Sequence, residues 1–359
     1  MATADRIYWL HVLTPLHIGA GKGEGYIDLP LMREKLTNFP FVPGSSVKGV
    51  FRDSCETVHA ARAAARPKVS KKEVDETAQQ ATQAAGSNIP VTTADGSLQA
   101  TAASSTVSEQ DDESDEVLRA AFGQAGDDTA NAGAIVFTDA RLVCLPVRSL
   151  FGTFAWCTSP LVLQRLTRDW KAAGLECGPI LNAKDFDKSK SMTLIPDSST
   201  EKSALLNGGT KIYLEDLDLD VDQSSKATAW AKLLSEQLFP DHADEWQLLF
   251  RQRFAILSDE AFSFLAETGT DVQPHIRIDP DFKRVADGAL WYEESLPAES
   301  ILCGLVWCDP PRAMHGLRPK IEALLESRCV QMGGKATTGK GRVKLLFPAN
   351  RPLQGGISK

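Results

Sequence analysis

At 359 residues, with 43% hydrophobic content, the chain carries enough apolar material for a large buried core in one elaborated domain. A formal net charge of −8 argues against a protein that coats nucleic acid by general electrostatics, because that mode shows as an overall basic excess. Seven cysteines without a CxxC pair or a Cys/His cluster exclude a zinc finger and read as buried thiols in a reducing compartment.

Ile7 to Leu13 is a short apolar run rich in β-formers that ends at Thr14-Pro15, which predicts a buried first strand. A loop with four glycines follows, from Gly19 to Gly25, and then Tyr26-Ile27-Asp28-Leu29-Pro30. Phe41-Val42-Pro43-Gly44-Ser45-Ser46 leads into a helix whose apolar positions Val47, Val50, Phe51, Cys55 and Val58 recur at helical spacing, with a serine available as N-cap. Lys48 and Arg52 stand four apart and share another face of that helix. From about Arg66 to Gln110 the composition is dominated by Ala, Thr, Ser and Gln, which predicts a flexible low-complexity insertion. Order is expected to resume near Val117, and Gly133 to Val143 reads as a strand. Gln273 to Ile278, Asp279-Pro280-Asp281 and the return through Val285 read as a hairpin turning near Pro280. A core strand is expected over Ile301 to Val306, a helix from Pro319 to about Ser327 and a last strand over Val343 to Phe347. Strands and helices mix without strict alternation, so the predicted class is α+β. The first residues lack the pattern of a secretory signal and no later run is long enough to span a bilayer, so a cytoplasmic protein with no membrane partner is expected.

Charge is unevenly spread. Asp111 to Glu116 and Glu215 to Asp222 form acidic clusters, whereas Lys335, Lys340, Arg342 and Lys344 make a basic, glycine-rich segment near the end. Within Gly333 to Arg342, glycines let the backbone approach a phosphate closely while Lys335, Lys340 and Arg342 neutralise charge. The loop is not a Walker motif, since Gly341 stands where Ser or Thr is needed to hold magnesium. A tight structural turn is the alternative. Asp28, beside the glycine loop, is able to hold a divalent cation, and the nearby His17 suits proton transfer to or from a ribose hydroxyl. A turn-capping Asp and a packed His are the competing readings.

The wording of several segments together carries more. His17-Ile18-Gly19-Ala20-Gly21, Tyr26 to Glu34, and Phe39 to Asp53 with its Pro43-Gly44-Ser45-Ser46-Val47-Lys48 core resemble the RAMP superfamily. More narrowly they are similar to the fourth-subunit family of the Cmr complex, the type III-B CRISPR effector. Thr138-Asp139-Ala140-Arg141, Pro146 to Leu150, Gly288 to Glu294 with Leu296-Pro297, and the Gly333 to Arg342 loop match as well, so the resemblance covers most of the chain outside the insertion.

The resemblance implies a ferredoxin-like, RRM-related core with a β-hairpin thumb, here between Gln273 and Ala286 within residues 271–288, in one domain spanning 1–359. It implies a backbone subunit repeated along a guide RNA beside other Cmr subunits, which cuts complementary single-stranded target RNA at regular intervals in antiviral defence. The catalytic carboxylate carries over to Asp28, with a divalent metal ion there, Mg2+ or Mn2+, and with His17 and Glu293 as assisting residues. Guide contacts carry over to Lys48, Arg52, Ser45 and Ser46 at the helix start, and to Gly334, Lys335, Lys340 and Arg342 in the glycine-rich loop. Two alternatives stay open: a scaffold that holds guide RNA without cutting, and a metal-independent nuclease that processes precursor guide RNA.

Overall fold

A computed structural model of the chain describes residues 6–23, 25–65, 114–124, 131–181, 185–186, 192–199, 201–240, 245–309 and 316–348. The predicted insertion at 66–110 lies outside the described residues. In chain order the elements are β1 (Arg6–Val12), β2 (Phe41–Val42), α1 (Gly44–Ala65), α2 (114–122), β3 (Gly123–Gln124), β4 (Asn131–Ala132), β5 (Ile135–Phe137), β6 (Ala140–Arg148) and β7 (Phe154–Thr158). They continue with α3 (Pro160–Ala172), β8 (Met192–Pro196), β9 (Lys211–Leu214), β10 (Leu217–Ser224), α4 (Ser225–Leu238), α5 (Trp246–Gln252), β11 (Phe254–Ile256) and α6 (Asp259–Thr268). The last are β12 (Asp271–Ile278), β13 (Val285–Ser295), β14 (Ile301–Cys308), α7 (Arg318–Ala323), β15 (Arg328–Gln331) and β16 (Arg342–Leu346).

Twelve strands form one mixed sheet in the order β15-β16-β1-β14-β6-β7-β11-β8-β10-β9, with β2 added beside β6 and β5 beside β14. The sequence explains the central position of β1. Ile7 through Val12 are all buried, so the strand presents apolar side chains to both faces and pairs antiparallel with β14 on one edge and β16 on the other. The helix α3 starts where Ser159 accepts the Val162 N–H and Pro160 takes the first turn, and it buries Val162, Leu163, Leu166 and Trp170. Trp170 meets Trp9 of β1 edge-on at 6.3 Å, which fastens the helix to the sheet. On α1, Phe51 is fully buried and contacts the rings of Phe122, Phe137 and Phe347 at 5.5 to 5.7 Å. The α+β class holds.

Three local expectations change. The strand read over Gly133 to Val143 is two strands, because Thr138 leaves the ladder: its Oγ1 accepts the Leu305 N–H and its carbonyl accepts the Tyr8 hydroxyl. The cap of α1 is not a serine; Asp139 Oδ1 accepts the Gly44 N–H at 2.8 Å from a distant strand connection. The helix expected from Pro319 to Ser327 ends at Ala323.

The hairpin β12–β13 stands apart from the main sheet, with its turn over Asp279 to Arg284 closed by Asp279, whose Oδ1 accepts the N–H groups of Asp281 and Phe282. Register makes it two-faced. Pro274 lies opposite Tyr292 and Ile276 opposite Leu290 on one side, while Gln273 opposite Glu293 and His275 opposite Trp291 occupy the other. Ile276, Ile278, Leu290 and Tyr292 are exposed, and Phe282 at the tip is 71% exposed.

Candidate active site

The root of this hairpin meets two loops, and Asp28, His17, Glu293, Lys335 and Lys340 converge on that junction. The loop after β1 doubles back, with Ala20 N–H bonded to the Pro30 carbonyl and Met32 N–H to that of Ile18. Its Asp28–Leu29 step then runs beside β13: Leu29 N–H donates to the Tyr292 carbonyl and Glu294 N–H to the Leu29 carbonyl. Asp28 is exposed, and its Oδ2 accepts the Tyr292 N–H at 2.8 Å. Among the described residues, Oδ1 of Asp28 takes no hydrogen bond, which leaves one carboxylate oxygen facing solvent.

His17 is buried at the same junction. Its Nδ1–H donates to the Glu294 carbonyl at 2.7 Å, since a carbonyl only accepts, and Nε2 is the ring's other nitrogen. Room for that nitrogen comes from Gly19, where a Cβ would lie 2.8 Å from Nε2.

Glu293 and Glu294 follow each other on β13 and point to opposite faces, yet both are buried. Glu294 accepts from Leu31 N–H, the Thr270 hydroxyl and the Arg33 guanidinium, and these hold its carboxyl below the ordinary value of 4.5 against the desolvation that would raise it. Glu293 accepts from Lys340 Nζ at 2.8 Å, and Lys335 Nζ stands 3.4 Å from its other oxygen. Its carboxyl is likewise lowered: burial pushes up, while Lys340, His17 and Lys335 pull down further. Glu293 Oε2 and His275 Nε2, 4.0 Å apart, are both buried without a hydrogen-bond partner.

The Gly333 to Arg342 loop covers this cluster. Gly334 N–H donates to the His17 carbonyl and Gly341 N–H to that of Pro15. A Cβ on Gly333 would come within 2.3 Å of the His17 carbonyl oxygen, and one on Gly341 within 2.0 Å of that of Met332. Both sit at positive φ, 75° and 83°, so glycine is required twice over. Lys340, read from the sequence as a phosphate contact, is buried and bonded to Glu293 and Ser295. Gly334, Lys335 and Arg342 are exposed.

The α1 start is a second feature. Gly44 fits where a Cβ would lie 2.4 Å from the Phe137 carbonyl oxygen, which lets the helix N-terminus abut the β5–β6 connection. Ser45 is exposed and Ser46 half-buried; Ser45 lines, with Lys48 and Arg52, a groove whose far wall is Gly123, Gln124 and Asn131, and Ser46 is not part of that lining. Lys48 Nζ donates to the Ile135 carbonyl at 2.8 Å, and Arg52 pairs with Glu56 across an exposed turn at 2.7 Å. Thus Asp28, His17, Glu293, Gly334, Lys335 and Lys340 share one junction, while Ser45, Lys48 and Arg52 share the helix groove.

Arg33 and Glu34 were legible only as family wording. Arg33 binds Glu294 and the carbonyls of Asn38 and Ala266, and Glu34 takes a two-pronged contact from Arg165 at 2.6 and 2.8 Å. Ser295 and His275 carried no sequence signal at all. As for metal, among the described residues no group of three or more His, Cys, Asp or Glu side chains is placed to ligate one ion. Glu294 is taken up by Arg33, Thr270 and Leu31 N–H, and Glu293 is buried against Lys340 and Lys335, so at this junction Asp28 offers the exposed hard oxygen, which suits a cation otherwise held by water and substrate phosphate.

A hairpin raised from a large mixed sheet, with a glycine-rich loop locked on its root, defines a class: the chain belongs to the RAMP superfamily, whose model matches residues 9–344. Within it, the chain is 28% identical over 344 residues to the CRISPR system Cmr endoribonuclease Cmr4 of Pyrococcus furiosus, covering 94% of both chains. The fold is similar to that of oligomeric Cmr4 from Pyrococcus furiosus, with TM-score 0.59, 22% identity, and 97% and 99% of the two chains covered. It is also similar to a chain of the type III-B Cmr-beta complex bound to cognate target RNA, with TM-score 0.58, 18% identity and 96% of each chain covered.

Proposed function

We propose that this protein is a backbone subunit of a type III-B CRISPR effector, which assembles in several copies along a guide RNA and cuts the paired single-stranded target RNA. The observation that carries the reading is Asp28: an exposed carboxylate fastened by one oxygen to the root of the thumb, with the other directed outward. The relative of similar length throughout is itself named an endoribonuclease. Ser45, Ser46, Lys48 and Arg52 then face guide phosphates at the start of α1, where a helix N-terminus favours an anion. Gly334 and Arg342 supply a backbone N–H-rich, cationic edge from the glycine loop. Base pairing reads the target sequence, so the protein needs shape and phosphate contacts rather than base contacts.

The thumb displays an apolar face suited to unstacked bases, and unstacking opens the target backbone beside the carboxylate. In the cleavage step the ribose 2′-oxygen attacks the adjacent phosphorus and gives its proton to Asp28. The bond from phosphorus to the next 5′-oxygen breaks, and that oxygen takes up a proton, leaving a 2′,3′-cyclic phosphate and a 5′-hydroxyl. His17 bonds the backbone of the thumb root at the Glu294 carbonyl, and Glu293 ties Lys340 of the glycine-rich loop to it. A divalent ion, Mg2+ or Mn2+, would be held by Asp28 with phosphate oxygens and water, and would supply charge neutralisation at the phosphate.

The test is a complex reconstituted on guide RNA and given complementary RNA. Cuts at regular intervals are expected from the wild type, and Asp28→Asn should lower the rate by about 10²–10⁴-fold with guide and target binding intact. A 2′-deoxy nucleotide at the cut position should resist cleavage. Undiminished cutting by Asp28→Asn would sink the assignment and favour a guide-holding scaffold.

A further inference from the structure

One carboxylate at the thumb root faces two ammonium groups, and the two are not equivalent. Lys340 reaches Glu293 Oε1 from inside at 2.8 Å and also donates to Ser295, with its side chain only 9% exposed. Lys335 stands 3.4 Å from Oε2 with its side chain 38% exposed, and it makes no hydrogen bond there, since Oε2 is left without a donor. A buried carboxylate oxygen without a hydrogen-bond donor is costly, and here the half-exposed Lys335 stands beside it. Lys340 alone balances the charge of Glu293. Lys335 is then a second ammonium group beside one carboxylate, and the more exposed of the two.

The backbone at Lys335 is strained and locked. It adopts φ 66° and ψ 29°, a left-handed conformation that is unfavourable for a non-glycine residue. The Thr338 N–H and hydroxyl both donate to the Lys335 carbonyl, at 3.0 and 2.8 Å, and the next residue back, Gly334, is pinned to the His17 carbonyl. Strain of this kind survives where the surroundings over-determine it. Glu293 is the neighbour in chain of Tyr292, whose N–H holds Asp28, so Asp28 and Lys335 are tied to adjacent residues of β13.

We propose that Lys335 is a catalytic residue that binds the scissile phosphate of the target strand, and that Glu293 is the positioning residue that keeps its ammonium beside Asp28. This deepens the nuclease reading and rests on it. A phosphodiester brings the single negative charge that the cluster lacks. Charge that builds on its oxygens during attack is then met by a group already in place, where a preorganised donor is worth most. Asp28 receives a proton and Lys335 receives charge, so the two roles are complementary. A contact with guide phosphate would instead group Lys335 with Lys48 and Arg52, which line the separate α1 groove.

The experiment uses the complex assembled on guide RNA, with Lys335→Met and Lys335→Arg compared with the wild type and Asp28→Asn. Guide loading, thermal midpoint and target affinity are measured first, the affinity in the Asp28→Asn background so that no cutting occurs. Single-turnover cleavage at saturating target follows. Lys335→Met should cut about 10²-fold more slowly at saturation, with loading, midpoint and affinity unchanged, and Lys335→Arg should recover most of the rate. A saturating rate equal to wild type overturns the proposal, and so does a defect traced wholly to guide loading or to target affinity. If wild type and Asp28→Asn behave alike, the nuclease reading itself fails, and Lys335 falls with it.

Discussion

Glu293 and Glu294 show how one residue step along a strand separates two tasks. Alternation sends Glu294 toward Arg33, Thr270 and the Leu31 N–H, where it splices the Asp28 loop to β13, and sends Glu293 toward Lys340 and Lys335. Removing Glu294 strands the Arg33 guanidinium, so Glu294→Ala should cost about 3–5 kcal/mol in denaturant unfolding. Both carboxyls, and that of Glu34, are held below their ordinary value of 4.5 in the fold. A lowered folded value means that their stabilisation is complete above about pH 4.5 and is lost as pH falls through the folded values. The thermal midpoint should therefore drop steeply on the acid side, and Glu294→Gln should flatten that drop; an unchanged acid limb would show that the pair contributes nothing to folding. The Asp28 context was readable because it is contiguous. The partners of Glu293 and His17 were not, since Lys340 is 47 residues from Glu293 and His17 is 277 from Glu294.

Among the elements, the glycine-rich loop carries the clearest conformational demand. Gly333→Ala and Gly341→Ala push a methyl into the carbonyls of His17 and Met332, whereas Gly339, also at positive φ, has nothing within 4 Å of its Cβ direction. Urea unfolding should rank them: about 1–2 kcal/mol for Gly339→Ala from conformation alone, and more for the other two, where backbone must also shift. Helix α1 depends on one aromatic residue, and Phe51→Ala should cost about 3–5 kcal/mol by emptying the space among Phe122, Phe137 and Phe347. The thumb predicts the opposite balance. Ile276→Ser and Ile278→Ser lie on an exposed face and should change stability by within about 0.5 kcal/mol while weakening target-RNA binding or shifting the cut positions. The hairpin was visible in the sequence through alternation and an Asp-Pro-Asp turn. Its apolar outer face was not, since only the register assigns Pro274, Ile276, Leu290 and Tyr292 to one side and His275, Trp291 and Glu293 to the other.

For the whole molecule, an acidic chain with a confined basic groove should bind RNA at designated places. The net charge of −8 supplies no general attraction, so lone subunits without guide RNA should cut target only marginally, and rates should rise with the number of copies loaded. The sequence by itself determined the class of fold, the thumb, the first strand and the α1 start, because these rest on local periodicity and on glycine, proline and aspartate placed within a few residues of one another. It also pointed to Asp28 as the candidate carboxylate, through the words around it. Only the tertiary structure decided that Lys340 is buried while Lys335 stays at the surface, that Asp139 rather than a serine caps α1, and that two neighbouring glutamates serve opposite faces. The reason is physical. Burial and charge pairing depend on segments that meet across hundreds of residues, and a side chain's spacing along the chain carries no information about which of them it will meet.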